Sequence, residues 1–293
     1  MTFRHIVAAS LLLFTACLTG VANGDERPTL RESRDPHLQR LLERGLDRLG
    51  LSAPVRAHKL AVALVDVTHL ERPRLASVNG DRMMYAASLP KIGILLAALY
   101  DVERGHMALT HGLKRSLTDM IRVSSNEEAT RVMNIVGKHR VNQILASQRF
   151  RFYDTRANGG LWVGKEYGPR PAFQRDPLHN LSHGATVMQV ARFYYLLEAG
   201  RLLRADLNAE MKDILSRPAI QHKFVKGLRG RNVEIFRKSG TWRHWHADSA
   251  IVESPRGNYI LVALAEDARG GDWLPKIART LHDAMYPPQI ARK

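Results

Sequence analysis

Met84-Tyr85-Ala86-Ala87-Ser88-Leu89-Pro90-Lys91-Ile92-Gly93-Ile94-Leu95-Leu96-Ala97-Ala98-Leu99 is the stretch on which the fold turns. Ile92 to Leu99 is almost wholly apolar. A helix without a polar face has nothing to offer solvent, so the run predicts a central helix covered on all sides. Pro90 suits the first turn, where its missing N–H costs nothing. Ser88 and Lys91 are three residues apart and so share one helix face.

Upstream, Asp35-Pro36 opens a helix, with Asp35 as the cap and Pro36 in the first turn. Leu38, Leu41, Leu42, Leu46 and Leu49 share one face, and Gly50 closes it. Lys59 to Val67 reads as a strand, Leu75 to Val78 as its hairpin partner, and Asn79-Gly80-Asp81 as a turn. Downstream to about Gly200 the period is helical, with helices predicted over Leu117–Val136, Arg140–Gln148 and Gly184–Ala199. Asp154 to Leu181 shows no sustained period and reads as a long functional or mobile loop. Strands return at Val233–Lys238, Ala247–Glu253 and Tyr259–Leu264, the last two joined by a turn at Ser254–Asn258. An amphipathic helix over Trp273–Met285 follows.

This order predicts an α/β part plus an all-α part. Both chain ends, residues 25–87 and 205–293, supply one antiparallel sheet flanked by terminal helices, and residues 88–204 form an inserted all-helical domain. A cleft between two such parts is a natural binding site.

The 293 residues are 45% hydrophobic and 25% charged, which excludes a disordered tail, a collagen-like repeat and a multi-span membrane protein. Met1 to Gly24 reads as an export signal: Arg4 and His5 precede the apolar run Ile6–Phe14, and Ala22-Asn23-Gly24 offers a small-x-small cleavage site. Periplasmic or secreted localisation is expected. Phe14-Thr15-Ala16-Cys17 also resembles a lipoprotein box, so lipidation at Cys17 stays open. As the chain's one cysteine, Cys17 leaves no disulfide framework. No other apolar stretch is long enough to span a bilayer. The formal net charge is +16, and Arg4 is the only charged Lys, Arg, Asp or Glu in the first 24 residues. Such a surface attracts anionic envelope polymers or acidic substrates. Nucleic acid is not expected as a partner, because no binding motif is present.

Three short motifs occur in order. Ser88-Leu89-Pro90-Lys91 is S-x-x-K, Ser124-Ser125-Asn126 is S-x-N, and Lys238-Ser239-Gly240-Thr241 lies on a predicted strand. A serine hydroxyl is a weak nucleophile until a neighbour takes its proton, and Lys91 can do so when burial keeps its amine neutral. Ser124 can pass a proton to a leaving nitrogen, and Asn126 can donate to and accept from a substrate amide. Lys238 offers a charge to a carboxylate, and Gly240 allows close approach to the strand. The N–H groups of Ser88 and Thr241 would form an oxyanion hole. S-x-x-K alone carries little weight. The weight comes from its place at the start of an apolar helix, with the second motif in the helical block and the third on a strand after it.

Together these motifs resemble those of class A β-lactamases and related penicillin-recognising serine hydrolases. The resemblance runs from about Leu60 to Met285. It includes MYAASLPKIGILLAAL (84–99), MIRVSSNEEATRVMNIVG (120–137), HGATVMQVARFYYLLEAGRL (183–202) and the K-S-G-T strand. It implies a β-lactamase/transpeptidase-like fold, acylation of Ser88 with Lys91 as base, proton delivery by Ser124, and side-chain amide binding by Asn126. Lys238 with Ser239 or Thr241 would hold the carboxylate.

Three departures stand out. Ser125 occupies a position where class A enzymes usually carry Asp. The segment between Ser88 and Ser124 is short, which implies a reduced cleft wall. The family's glutamate-x-x-Leu-Asn loop is missing; between Phe150 and Thr186 the carboxylates are Asp154, Glu166 and Asp176. Glu166 is the candidate base for the deacylating water; a solvated loop carboxylate is the alternative. Without such a base the acyl-enzyme would persist, as in a penicillin-binding protein or D-alanyl-D-alanine peptidase. His244, His246 and Asp248 alternate along one strand face but are not expected to hold a metal. Arg243 is a further candidate for a substrate carboxylate. The expected substrate is a β-lactam or a peptidoglycan stem peptide, with no cofactor or metal required and a monomer expected. A non-catalytic envelope-binding protein on the same fold is the reading from a different class.

Overall fold

The computed structural model describes residues 29–287. The expected export signal and Cys17 lie outside the described residues.

The first helix, α1 (Pro36–Arg48), is capped by Asp35, whose carboxylate accepts from Leu38 N at 2.6 Å. A short α2 (Ser52–Arg56) leads into β1 (Leu60–Asp66), β2 (Arg74–Val78) and β3 (Met84–Tyr85). The helical block comprises α3 (Lys91–Glu103), α4 (His111–Arg122), α5 (Asn126–Val136) and α6 (Lys138–Ala146). Next come the short strands β4 (Tyr153–Asp154), β5 (Gly159–Gly160), β6 (Trp162–Val163) and β7 (His183–Ala185). The helices α7 (Val187–Glu198), α8 (Ala205–Leu215) and α9 (Phe224–Leu228) follow, then β8 (Glu234–Trp242), β9 (Trp245–Ser254), β10 (Gly257–Glu266) and α10 (Gly270–Met285).

The main sheet has the order β2-β1-β10-β9-β8, antiparallel at every pairing. Both chain ends therefore build one sheet, as expected. All seven residues of β1 are buried, because the sheet is covered on both faces. Ala61, Ala63 and Val65 pack toward the helical block, while Leu60, Val62 and Leu64 pack toward α1 and α10. Each large apolar side chain so buried contributes about 1.5–3 kcal/mol. The same two-residue alternation divides β10: Ile260, Val262 and Leu264 face one core, and Tyr259, Leu261 and Ala263 the other. Helix α3 is the central helix of the block, with Ile92 to Leu99 entirely buried. Helix α8 packs on α3 and α4 as well as on β8, so it sits at the joint between sheet and helices.

The inserted part, expected to be all-helical, also carries the short strands β4 to β7, and the helix expected from Gly184 begins at Val187 because Gly184 pairs with Tyr85 and Trp162. Two further expectations are refined. The helix expected over Leu117–Val136 is two helices, broken at Val123–Ser125. Ser124 there has a left-handed φ of 60°, and Ser125 caps α5 by accepting from Glu128 N at 3.1 Å. A serine that bonds its own backbone competes with helix continuation. The aperiodic stretch 154–181 is not loose. Asn142 clamps it by donating to Val163 O at 2.7 Å and accepting from Val163 N at 3.0 Å. Trp162 Nε1 donates to Gln174 O at 2.9 Å. Buried Asp176 accepts from the Tyr153 hydroxyl and from His179 N at 2.7 Å. These side-chain-to-backbone bonds hold a segment that has no repeating ladder.

Candidate active site

Ser88 follows β3 in a tight turn entered through Ala87, a non-glycine residue at φ 49°. Such a conformation costs of order 1–3 kcal/mol and persists only where the surroundings impose it. Leu89 N donates to Ala86 O at 3.0 Å and Lys91 N to Ser88 O at 3.3 Å, so the turn runs directly into α3. Lys91 is the first residue of that helix. Ser88 therefore lies one turn ahead of the helix rather than inside it. Its hydroxyl and its N–H make no hydrogen bond among the described residues, and it lines a cleft of about 450 Å³.

Lys91 is fully buried. Its Nζ donates to the carbonyls of Ser124 (2.7 Å) and Ser125 (3.1 Å) and to Asn126 Oδ1 (2.8 Å), and lies 3.4 Å from Ser124 Oγ. The Tyr167 ring lies against it, 4.5 Å from the nitrogen to the ring centre. Burial pushes its pKa down to about 7. Lys238 approaches from β8 and donates to Ser124 Oγ at 2.9 Å and to Ser239 O at 2.7 Å. Burial first, and the Lys91 charge second, hold its pKa well below the usual lysine value. The break before α5 is what aims Ser124 at both lysines.

Strand β8 is an edge strand, and Gly240 permits its approach to the serine. A Cβ on Gly240 would lie 2.3 Å from Ala86 O and 2.8 Å from Ser88 N, so strand and turn meet backbone to backbone. Thr241 lines the cleft, and its Oγ1 accepts from Lys223 Nζ at 2.8 Å. Lys223 also donates to Gly240 O (2.5 Å) and Ala247 O (3.0 Å), and burial pushes its pKa down to about 8. Beneath the strand, buried Arg237 grips Asp248 through two bonds of 2.8 and 2.9 Å.

The cleft brings together Ser88, Asn126, Glu166, Thr241 and Arg243. Lys91, Ser124, Lys238, Ser239 and Gly240 do not line it, although all but Ser124 belong to the two segments that meet there. Arg243 sits at the exposed β8–β9 turn with its guanidinium 5.8 Å from the Trp242 ring centre. Glu166 is 5% exposed. Lys138 Nζ lies 2.5 Å from one of its oxygens and Arg170 Nη1 3.4 Å from the other. The Lys138 bond keeps this carboxyl below its usual pKa. It makes no hydrogen bond or ion pair to Ser88 or Lys91 among the described residues. Asp248 is engaged by Arg237, and no group of three potential metal ligands occurs among the described residues.

The motifs do not point to Tyr167, His183 or Lys223. His183 is buried beside Tyr167, ring centres 4.3 Å apart, and its Nε2 bonds Lys165 O at 3.0 Å. Burial pushes its pKa down to about 3, so it is neutral and Nε2 is the donor. His183 opens one of the segments that carry the resemblance, but only the pairing of β7 with β3 reveals its neighbours. Lys223 is a lone lysine with no local signature.

The profile of the beta-lactamase enzyme family matches residues 55–116 and 110–285. Among solved structures, a beta-lactamase from Sphaerobacter thermophilus superposes with a TM-score of 0.66 at 20% identity, covering 85% of this chain and 98% of that one. A class A beta-lactamase representative from Bacteroides cellulosilyticus gives 0.65 at 15% identity, over 85% and 98%. PBP-A gives 0.62 at 17% identity, over 86% and 97%. These likenesses are to the fold. No curated protein sequence matches the chain.

Proposed function

The chain belongs to the beta-lactamase enzyme family, and from that premise we propose that it is an exported serine hydrolase that opens β-lactam amide bonds through an acyl-serine intermediate. The observation that carries this reading is the convergence of Lys91 and Lys238 on Ser124, at the join between the Ser88 turn and β8. The neutral form of Lys91, which its lowered pKa makes accessible and which gives up one of the three bonds the side chain donates, takes the proton as Ser88 Oγ attacks the carbonyl. The unbonded N–H of Ser88 and that of Thr241 stabilise the oxyanion, held close by the Gly240 contact. Ser124 gives its proton to the leaving nitrogen and is resupplied from the lysines beside it. Asn126 binds the side-chain amide; Lys238, Ser239, Thr241 and Arg243 bind the carboxylate. An arriving carboxylate favours the charged form of Lys238, which burial disfavours.

A second reading shares this acylation and differs in the fate of the acyl-enzyme. Glu166 is held by Lys138 and Arg170, and Tyr167 lies against Lys91, which favours slow deacylation of the kind a D-alanyl-D-alanine peptidase would show. The test is turnover of a chromogenic cephalosporin by the purified protein. Hydrolysis that Ser88→Ala abolishes supports the first reading. A lasting adduct with little turnover supports the second, and equal negligible reaction in both proteins removes both.

A further inference from the structure

The charge of the cleft says more about its substrate. Lys165, Arg175 and Arg243 all line it, and none has a carboxylate partner among the described residues. Arg175 is fixed by donating to Asn180 O at 3.0 Å, next to the Asp176 hub, so its guanidinium is presented by a structured loop. The one carboxylate lining the cleft, Glu166, is already neutralised by Lys138 and Arg170. The cleft therefore carries uncompensated positive charge at two places, the Lys165–Arg175 loop and the β8–β9 turn. The rings of His183, Tyr85 and Trp245 also line the cleft, with the Tyr85 ring centre 6.2 Å from that of His183 and 6.0 Å from that of Trp245.

Cations left unpaired around one concave site repel one another until an anion enters, and together they bind that anion more strongly than isolated surface charges would. In the proposed reaction Lys238, Thr241 and Arg243 answer one carboxylate. Lys165 and Arg175 have no counterpart in it.

We propose that the preferred substrate carries a second anionic group, on its acyl side, and that Lys165 and Arg175 bind it. This rests on the acyl-serine reading. Substrates of this class are amides with an acidic group on the acyl portion in addition to the carboxylate next to the scissile nitrogen.

Benzylpenicillin and α-carboxybenzylpenicillin make the test, since they differ by one carboxylate on the acyl side chain. Equilibrium binding is measured on the Ser88→Ala protein, where no chemistry intervenes, and acylation rates on the Ser88 protein by intact mass. The dianion is expected to bind about tenfold more tightly. Lys165→Gln with Arg175→Gln should bring the two affinities together while leaving benzylpenicillin affinity within about twofold. The single variant Arg175→Gln, at an exposed site, reads the same effect in part should the double variant fold poorly. Equal affinities in the Ser88→Ala protein, or a preference that survives both substitutions, overturn the proposal. Preferential binding without acylation of the Ser88 protein would instead overturn the hydrolase reading and leave the anion site standing.

Discussion

Lys238 donates a hydrogen bond of 2.9 Å to the hydroxyl of Ser124, a residue 114 positions earlier in the chain. Lys91 reaches the carbonyl of the same serine at 2.7 Å. Two buried ammonium groups around one hydroxyl repel each other, and burial already disfavours both, so the pair sheds a proton more easily than free lysines do.

A pH dependence results. Lys91 accepts a proton only when neutral, and its pKa is pushed down to about 7. The acylation rate should therefore rise as pH increases through about 7 and level off above it. Lys91→Met should remove that limb and lower the rate about 10²–10⁴-fold. A rate that falls over the same range would contradict the assignment of Lys91 as base.

Ser124→Ala deletes the hydroxyl that joins the two lysines but keeps the backbone at φ 60°. Acylation should drop by about 10²-fold, with a thermal midpoint close to that of the parent. A large loss of stability would mean that Ser124 acts mainly through the fold.

Gly240→Ala places a methyl 2.3 Å from Ala86 O and 2.8 Å from Ser88 N. The strand must shift away from the serine turn, at a cost of about 1–3 kcal/mol. Denaturant unfolding should show that loss, and acylation should suffer more than stability because the oxyanion donors separate.

Glu166→Gln separates an anchor from a base. The Lys138 bond holds the folded-state pKa of Glu166 below its ordinary value of 4.5. The ion pair thus contributes stability above about 4.5, which is lost as pH falls through the lower folded value. The variant should melt lower than the parent at neutral pH, with the gap closing in acid. Its acyl-enzyme lifetime should stay within a few-fold of the parent's; a hundredfold longer lifetime would make Glu166 the deacylation base.

Asp248→Ala strands the buried Arg237 guanidinium, which otherwise makes two bonds to that carboxylate. The expected destabilisation is about 3–5 kcal/mol, read by chemical denaturation.

Much of this architecture can be read from local chemistry. The apolar run after Lys91, the Asp35 cap and the apolar strand at β1 each follow from one segment's own residues. The break before α5 is also written locally, in the capping spacing of Ser125 and Glu128, but an apolar period that runs through it conceals it. The stretch 154–181 is different. Its order comes from Asn142 and Asp176 reaching across to distant backbone, which no period within the stretch encodes. Lys223 escapes for the same reason: its three bonds to Gly240, Thr241 and Ala247 exist only once α9, β8 and β9 are side by side.

Acylation of Ser88 is tested most directly by the intact mass of the protein after mixing with benzylpenicillin, combined with peptide mapping. The expected result is an added mass of one penicillin molecule on the peptide containing Ser88, lasting or transient, and none in Ser88→Ala. An unmodified wild-type chain at every time point with no substrate consumed, or an adduct that persists in Ser88→Ala, would contradict it.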